Sequence, residues 1–152
     1  MRAIQISELA GPDSLGVHEM AVPELPPDHV LIQVEAAGVA FPDLLLSRGL
    51  YQLKPPPPFV PGSEVAGIVL AAPENSSLSE GDRVAALTLL GGFAEQAIAP
   101  LPAVYKLPDE VSFAEGAALP MNYLTVEFAF DRRGGLRGDD TVVVHGAAGG
   151  IG

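Results

Sequence analysis

The sequence contains no cysteine among its 152 residues. This absence excludes disulfide bonds, thiolate zinc sites and cysteine nucleophiles. Long hydrophobic runs are also missing, since no apolar stretch approaches the roughly 18–20 residues that a membrane-spanning helix needs. Glu8 interrupts the N-terminal apolar stretch, so no secretory signal is visible. We therefore expect a cytoplasmic protein without a membrane partner.

Positive charge is scarce as well. Eight Lys and Arg stand against nineteen Asp and Glu, which gives a formal net charge of −11 at pH 7. A chain this acidic repels a phosphate backbone, so we expect no nucleic-acid partner. Apolar residues make up 48% of the chain, and that content with this length is sufficient for a folded domain with its own core.

The first two thirds of the chain read as β-structure. Short segments rich in apolar and β-branched residues alternate with polar residues and are separated by Gly, Pro and Asp. This pattern predicts a mainly β fold, a small barrel or sandwich. The predicted strands are residues 2–9, 15–22, 29–39, 63–71, 82–89, 93–99 and 103–107.

Helices are predicted at three places. Residues 41–48 form a short leucine-rich segment that ends at Gly49. Residues 112–115 read Ser-Phe-Ala-Glu, which is a capping box at a helix start. Pro120 ends that helix, and the apolar spacing predicts another helix over residues 121–133.

The last segment combines an apolar run with a glycine-rich loop. Residues 141–145 read Thr-Val-Val-Val-His, which is typical of a strand buried in a parallel sheet. In the following loop, Gly146, Gly149 and Gly152 are spaced three residues apart. Glycines in this position let backbone amides approach a pyrophosphate, so the loop indicates a dinucleotide site. A plain glycine-rich turn is the alternative.

Several strings together resemble one family. They are AAGVAFPDLLLSRGLY, FVPGSEVAGIV, EGDRVAAL, GGFAEQAIAP, LPDEVSFAEGAALPMNYLTVEFA and VVVHGAAGGIG, in this order. They resemble the medium-chain dehydrogenase/reductase superfamily, and most closely its zinc-free quinone oxidoreductase branch. The resemblance implies a GroES-like β-barrel over residues 1–120. It also implies the connecting helix, first strand and glycine loop of a Rossmann α/β domain over residues 121–152, truncated in its glycine motif.

The same resemblance implies an activity for the full-length protein. We expect an enzyme that transfers hydride from NADPH, or alternatively NADH, to a quinone or an α,β-unsaturated carbonyl compound. An enoyl-thioester reductase and a non-enzymatic, crystallin-like binding protein are the alternatives. We also expect a homodimer, and we expect weak or no NADPH affinity for the 152-residue chain itself.

The resemblance also indicates which positions would hold zinc ligands. Where zinc-containing relatives place Cys, His and Cys ligands, this chain has Ala40, Ser63 and Met121, although Asp43 and Glu64 remain nearby. We therefore expect no metal site. Many zinc-free relatives have Asn in place of Ala40, so we expect a more apolar acceptor pocket here.

Site residues follow from the resemblance. Tyr51 is expected to be catalytic, because a phenol is protonated at neutral pH and can donate its proton. Phe41 and Asp43 are expected to contact substrate. The expected cofactor-binding residues are Thr125, Gly146, Ala147, Ala148, Gly149, Gly150, Ile151 and Gly152. Each of three has a structural alternative: packing of Tyr51 on the proline loop, an N-terminal helix role for Asp43, and a bond from Thr125 back to a helix carbonyl.

Overall fold

A computed structural model describes residues 1–152. The fold is mainly β with a few short helices, as the sequence predicts. The first two strands, β1 (Arg2–Ile6) and β2 (Leu15–Glu19), form an antiparallel hairpin. A five-stranded antiparallel sheet follows in the order β6-β3-β4-β5-β7. Its strands are β3 (His29–Ala37), β4 (Glu64–Ala71), β5 (Arg83–Leu87), β6 (Gln96–Pro100) and β7 (Val104–Lys106).

The sheet is a half-barrel rather than a closed barrel. β3 pairs with both β4 and β6, and its register with β4 shifts at Leu31/Ile32 and at Val34/Ala36. Such bulges bend a strand and increase its twist. Two isolated bridges, Ala3 to Ala94 and Ile6 to Phe59, connect the hairpin to the loops beside the sheet. The mainly β fold is thus confirmed, but the predicted barrel is only partly formed, because the strands make a curved, open half-barrel sheet.

The core lies on both faces of β4, because β4 is flanked by β3 and β5 and is covered by a helix. Alternation along β3 places Val30 and Ile32 on one face, where both are fully buried. The cluster on this face consists of Val30, Ile32, Val65, Val69, Leu78, Val84, Ala86, Ala97 and Ala99. A smaller cluster on the opposite face consists of Ala66, Ala85, Leu107 and Ala117.

The helices are short. They are α1 (Phe41–Ser47), α2 (Phe113–Ala117) and α3 (Pro120–Glu127), and α3 continues into a π-helical segment, Phe128–Gly134. The predicted capping box is confirmed, since Ser112 Oγ accepts from Glu115 N at 3.2 Å and Glu115 Oε2 accepts from Ser112 N at 2.9 Å. None of these helices is long and apolar enough to cross a bilayer.

The start of α3 differs by one residue from the prediction. α2 ends before Pro120, as expected, but Pro120 is itself the first residue of α3. Proline suits this position because its fixed φ is helical and its missing N–H would have no partner there.

The predicted strand over residues 141–145 is wrong for this chain. Residues 141–144 have no regular structure, and Val142, Val143 and Val144 are 42%, 76% and 46% exposed. A strand satisfies its backbone by pairing with a neighbouring strand, and no other strand of the chain pairs with this segment. The apolar side chains therefore remain on the surface. The division at residue 120 stays a prediction.

Candidate functional site

Asp43 joins α1 to the loop that precedes β4. The side chain stands in the first turn of α1, 7% exposed. Its Oδ2 accepts a hydrogen bond from Ala40 N at 2.8 Å, and its Oδ1 accepts one from Gly62 N at 3.3 Å. A carboxylate stabilises the N-terminus of a helix by binding free amides there. The helix role expected as an alternative for Asp43 is therefore observed, together with a second contact across the fold.

Gly62 has a conformation and a packing position that favour glycine. Its φ is +97°, and a Cβ there would lie 2.5 Å from Phe93 Cδ1 and 2.6 Å from Phe93 N. The loop before β4 can therefore pack directly against the loop before β6. Gly92 N donates to Gly62 O at 2.9 Å, which fixes this contact.

Glu64 is buried at the start of β4 and 4% exposed. Its Oε2 accepts from Met121 N at 2.9 Å, so the carboxyl ties β4 to the first turn of α3. A Cβ on Gly38 would lie 2.6 Å from Glu64 Oε1, which explains why a glycine precedes α1 here. Burial raises the pKa of Glu64 and the negative charge of Asp43 adds to this, while the Met121 amide opposes both.

Ser63 lies between these contacts. It is 4% exposed, and its Oγ has no hydrogen-bond partner. Its carbonyl oxygen accepts from Thr88 N at 2.8 Å and from Leu89 N at 3.3 Å, in the loop that follows β5. We call Asp43, Ser63 and Glu64 the buried polar cluster. The loop before α1, the loop before β4, the loop after β5 and the start of α3 all meet at this cluster.

Tyr51 and Phe41 lie at the two ends of α1. Phe41 is its first residue and is 69% exposed. Tyr51 lies in the irregular segment after α1, two residues beyond Gly49, and is partly buried. Gly49 has φ +65° and ends the helix as predicted. The structure shows Asp43 binding backbone amides. The substrate contacts expected of Asp43 and Phe41 and the catalytic role expected of Tyr51 stay predictions.

Three of the eight expected cofactor residues lie together near the other end of the chain. Thr125, Ile151 and Gly152 line one shallow cleft beside α3. Thr125 Oγ1 donates to Met121 O at 2.6 Å, which is the structural alternative expected for this residue. Residues 146–151 form consecutive turns on the protein surface.

The glycine loop does not fit a pyrophosphate in this conformation. A dinucleotide loop presents free amides between a strand and a helix. Here Gly149 N donates to Gly146 O at 2.9 Å, and Gly152 N donates to Gly149 O at 3.1 Å. Two of the amides are therefore used inside the turns, and the preceding segment is not a strand. The spacing of the glycines is suitable, but the arrangement of their amides is not.

The residues around the buried polar cluster do not suit zinc either. Ala40 and Met121 contribute a methyl and a thioether, and the hydroxyl of Ser63 is a weak ligand compared with imidazole or thiolate. The two carboxylates of the cluster already bind backbone amides. Ala40, Ser63 and Met121, the positions that correspond to zinc ligands in relatives, lie on segments that these hydrogen bonds connect.

The sequence did not point to the burial of Glu64 or to the positive φ of Leu89. A signal existed for Glu64, because it stands directly before the apolar run of β4. No sequence signal marked Leu89, whose backbone has φ +65°. A positive φ for leucine depends on contacts with distant loops and cannot be read from residue spacing.

Known proteins resemble this chain in sequence and in fold. A profile described as the alcohol dehydrogenase GroES-like domain matches residues 26–109. Human quinone oxidoreductase is 42% identical over 156 aligned residues, covering 100% of this chain and 47% of the human protein. A probable oxidoreductase from Mycobacterium abscessus has 48% identity and a TM-score of 0.90, covering 99% of this chain and 48% of that one.

A quinone oxidoreductase from Thermus thermophilus, described with its NADPH complex, has 36% identity and a TM-score of 0.84 over 99% of this chain and 47% of that chain. The chain thus belongs to the family of alcohol dehydrogenase GroES-like domains. Within the medium-chain dehydrogenase/reductase superfamily, it lies in the quinone oxidoreductase branch. It spans about half the length of these relatives.

Proposed function

We propose that this chain supplies the acceptor-binding part of an NADPH-dependent, zinc-independent reductase. The full-length enzyme transfers hydride from the nicotinamide to a quinone or an α,β-unsaturated carbonyl compound. We further propose that it is a cytoplasmic homodimer. The proposal rests on similarity to quinone oxidoreductases along the whole chain, including one whose structure has been determined with NADPH.

One structural observation supports the proposal that the reductase works without zinc. In the buried polar cluster, Asp43 and Glu64 bind the amides of Ala40, Gly62 and Met121. Carboxylates held this way fix the loops of the site and have fewer lone pairs for a metal. A reductase built on this cluster therefore has to polarise its acceptor with hydrogen-bond donors.

Tyr51 is the donor that we propose. It follows α1, the helix that Asp43 fixes to the loop before β4. Bound NADPH would supply the hydride, and the Tyr51 phenol would donate a hydrogen bond or a proton to the acceptor oxygen. Phe41, largely exposed at the start of α1, would contact the hydrocarbon part of the acceptor.

Steady-state oxidation of NADPH by the full-length protein tests this function. We expect turnover with 1,4-quinones, with simple enones, or with both. An enoyl-thioester acceptor in parallel separates the nearest enzymatic alternative, since a preference for it of more than about tenfold would replace the proposed substrate class. Tight NADPH binding without turnover of any acceptor would contradict an enzymatic role.

A further inference from the structure

Leu89 has a backbone conformation that leucine rarely adopts. Its φ is +65°, in the left-handed region. There the Cβ of an L-residue crowds the following carbonyl oxygen, so a bulky residue is strained. Asp28, at φ +61°, is the other non-glycine residue with positive φ, and short polar side chains tolerate this region better. Two residues after Leu89, Gly91 adopts φ +90° without this strain.

Core packing does not explain the leucine. Its side chain is 59% exposed, so little of the strain is offset by burial of apolar surface. A residue that is both strained and exposed is unfavourable for stability alone. Strain of this kind persists where the surrounding structure imposes it, and it concentrates at ligand-binding sites.

The surrounding structure does impose it. Thr88 N and Leu89 N both donate to Ser63 O, at 2.8 and 3.3 Å, and Thr88 Oγ1 donates to Gly62 O at 2.9 Å. These bonds hold the loop after β5 against the buried polar cluster. The backbone of Leu89 is therefore held against the cluster, while most of its side chain is exposed to solvent.

Two other exposed apolar residues are the sequence neighbours of Ala40, which is hydrogen-bonded to the buried polar cluster. Val39 and Phe41 are 83% and 69% exposed, and they flank Ala40, whose amide binds Asp43. Exposed apolar side chains next to buried polar groups are typical of sites that bind a small molecule with an apolar body and a polar tip.

We infer that Leu89 determines acceptor specificity, with its strained backbone holding the side chain where it contacts the hydrocarbon ring of a bulky, apolar quinone or enone. This inference rests on the proposed function. It extends that function by naming a residue that selects two-ring acceptors over small ones. A contact to the ring contributes to binding of the large acceptor and has no counterpart for a small one.

The test uses Leu89→Ala and Leu89→Gly in the full-length protein. We expect the KM for a naphthoquinone to rise at least about fivefold in both variants, and the KM for methyl vinyl ketone to change less than about twofold. The melting temperature of the Leu89→Gly variant should stay at or above that of the wild type, because glycine removes the strain. A change in KM would then not reflect unfolding.

Asp28→Gly is the matched control, since it removes the other positive-φ side chain, in the turn directly before β3, and should leave both KM values unchanged. Equal changes in KM for the two acceptors, or no change, would overturn the role of Leu89 while leaving the proposed function intact. Lack of turnover by the wild-type protein would instead remove the proposed function, and this inference with it.

Discussion

Glu64 carries a carboxyl group in the protein interior, between β4 and the first turn of α3. Its folded-state pKa is raised, mainly by burial. Between the ordinary Glu pKa and the raised value, the folded protein binds more protons than the unfolded chain. The contribution of Glu64 to the free energy of unfolding therefore decreases as pH rises through this window, and the full penalty remains above it.

Glu64→Gln removes this titration while keeping an oxygen that can accept from Met121 N. We expect the variant to gain stability relative to the wild type as pH rises from about 4 to about 8. Urea unfolding of both proteins across this range measures the difference. Glu35→Gln, at an exposed position of β3, is the control and should show no such trend. A difference that shrinks with rising pH would contradict the assignment.

Tyr51 is tested by removing its hydroxyl. If the phenol donates to the acceptor oxygen, Tyr51→Phe in the full-length protein should lower kcat at least about tenfold, with a smaller effect on KM. Tyr105→Phe provides a control on a partly exposed tyrosine of β7 and should leave kcat unchanged. A loss below about threefold for Tyr51→Phe, under about 1 kcal/mol, would reduce its role to packing.

At the residue scale, local patterns were the most predictable. The capping box at Ser112 and the helix end at Gly49 depend on neighbouring residues, and both were found from the sequence. The hydrogen bond from Gly62 to Asp43 joins residues 19 positions apart, and the bond from Leu89 to Ser63 joins residues still farther apart. Tertiary packing sets such contacts, so residue spacing carried no information about them.

At the scale of elements, Arg83 connects β5 to the segment that leads into α2. Its guanidinium donates to Pro108 O at 2.6 Å and to Val111 O at 2.7 Å, and it lies 4.6 Å from the centre of the Phe113 ring. The fork geometry of arginine serves both carbonyls while the planar group stacks on the ring. This arrangement holds α2 over the smaller core cluster.

Arg83→Lys keeps the charge but cannot reproduce that geometry. We expect a loss of about 1–2 kcal/mol in the free energy of unfolding, since one of two hydrogen bonds and the stacking are removed. Chemical denaturation of the chain measures it. Arg2→Lys, which alters an exposed ion pair with Glu95, should have a much smaller effect. Equal effects of the two substitutions would show that the hydrogen bonds and ring stacking of Arg83 do not stabilise the connection between β5 and α2.

The strands of the half-barrel were predicted to within three residues at each end, because period-two alternation is a property of each strand. The strand predicted over residues 141–145 does not form, although the composition of the segment is strongly apolar. Composition indicates that a segment can pair, but pairing requires a neighbouring strand. The same limit explains why a barrel was expected and a half-barrel was found.

At the scale of the whole molecule, the glycine loop follows an irregular segment, and two of its amides donate within its own turns. We therefore expect the 152-residue chain to bind NADPH with a dissociation constant above about 100 μM. Titration of the chain with NADPH, followed by the fluorescence of the reduced nicotinamide, checks this. Saturable binding at a few micromolar would mean that the loop can form its site within this chain.

The central claim is hydride transfer from a nicotinamide to a conjugated carbonyl compound, and isotope labelling tests it most directly. The full-length protein is supplied with NADPH carrying deuterium at both C4 positions and with an enone. We expect one deuterium at the β-carbon of the saturated product, which mass spectrometry and NMR detect. A reduced product without deuterium at that carbon, or no reduced product, would contradict the claim.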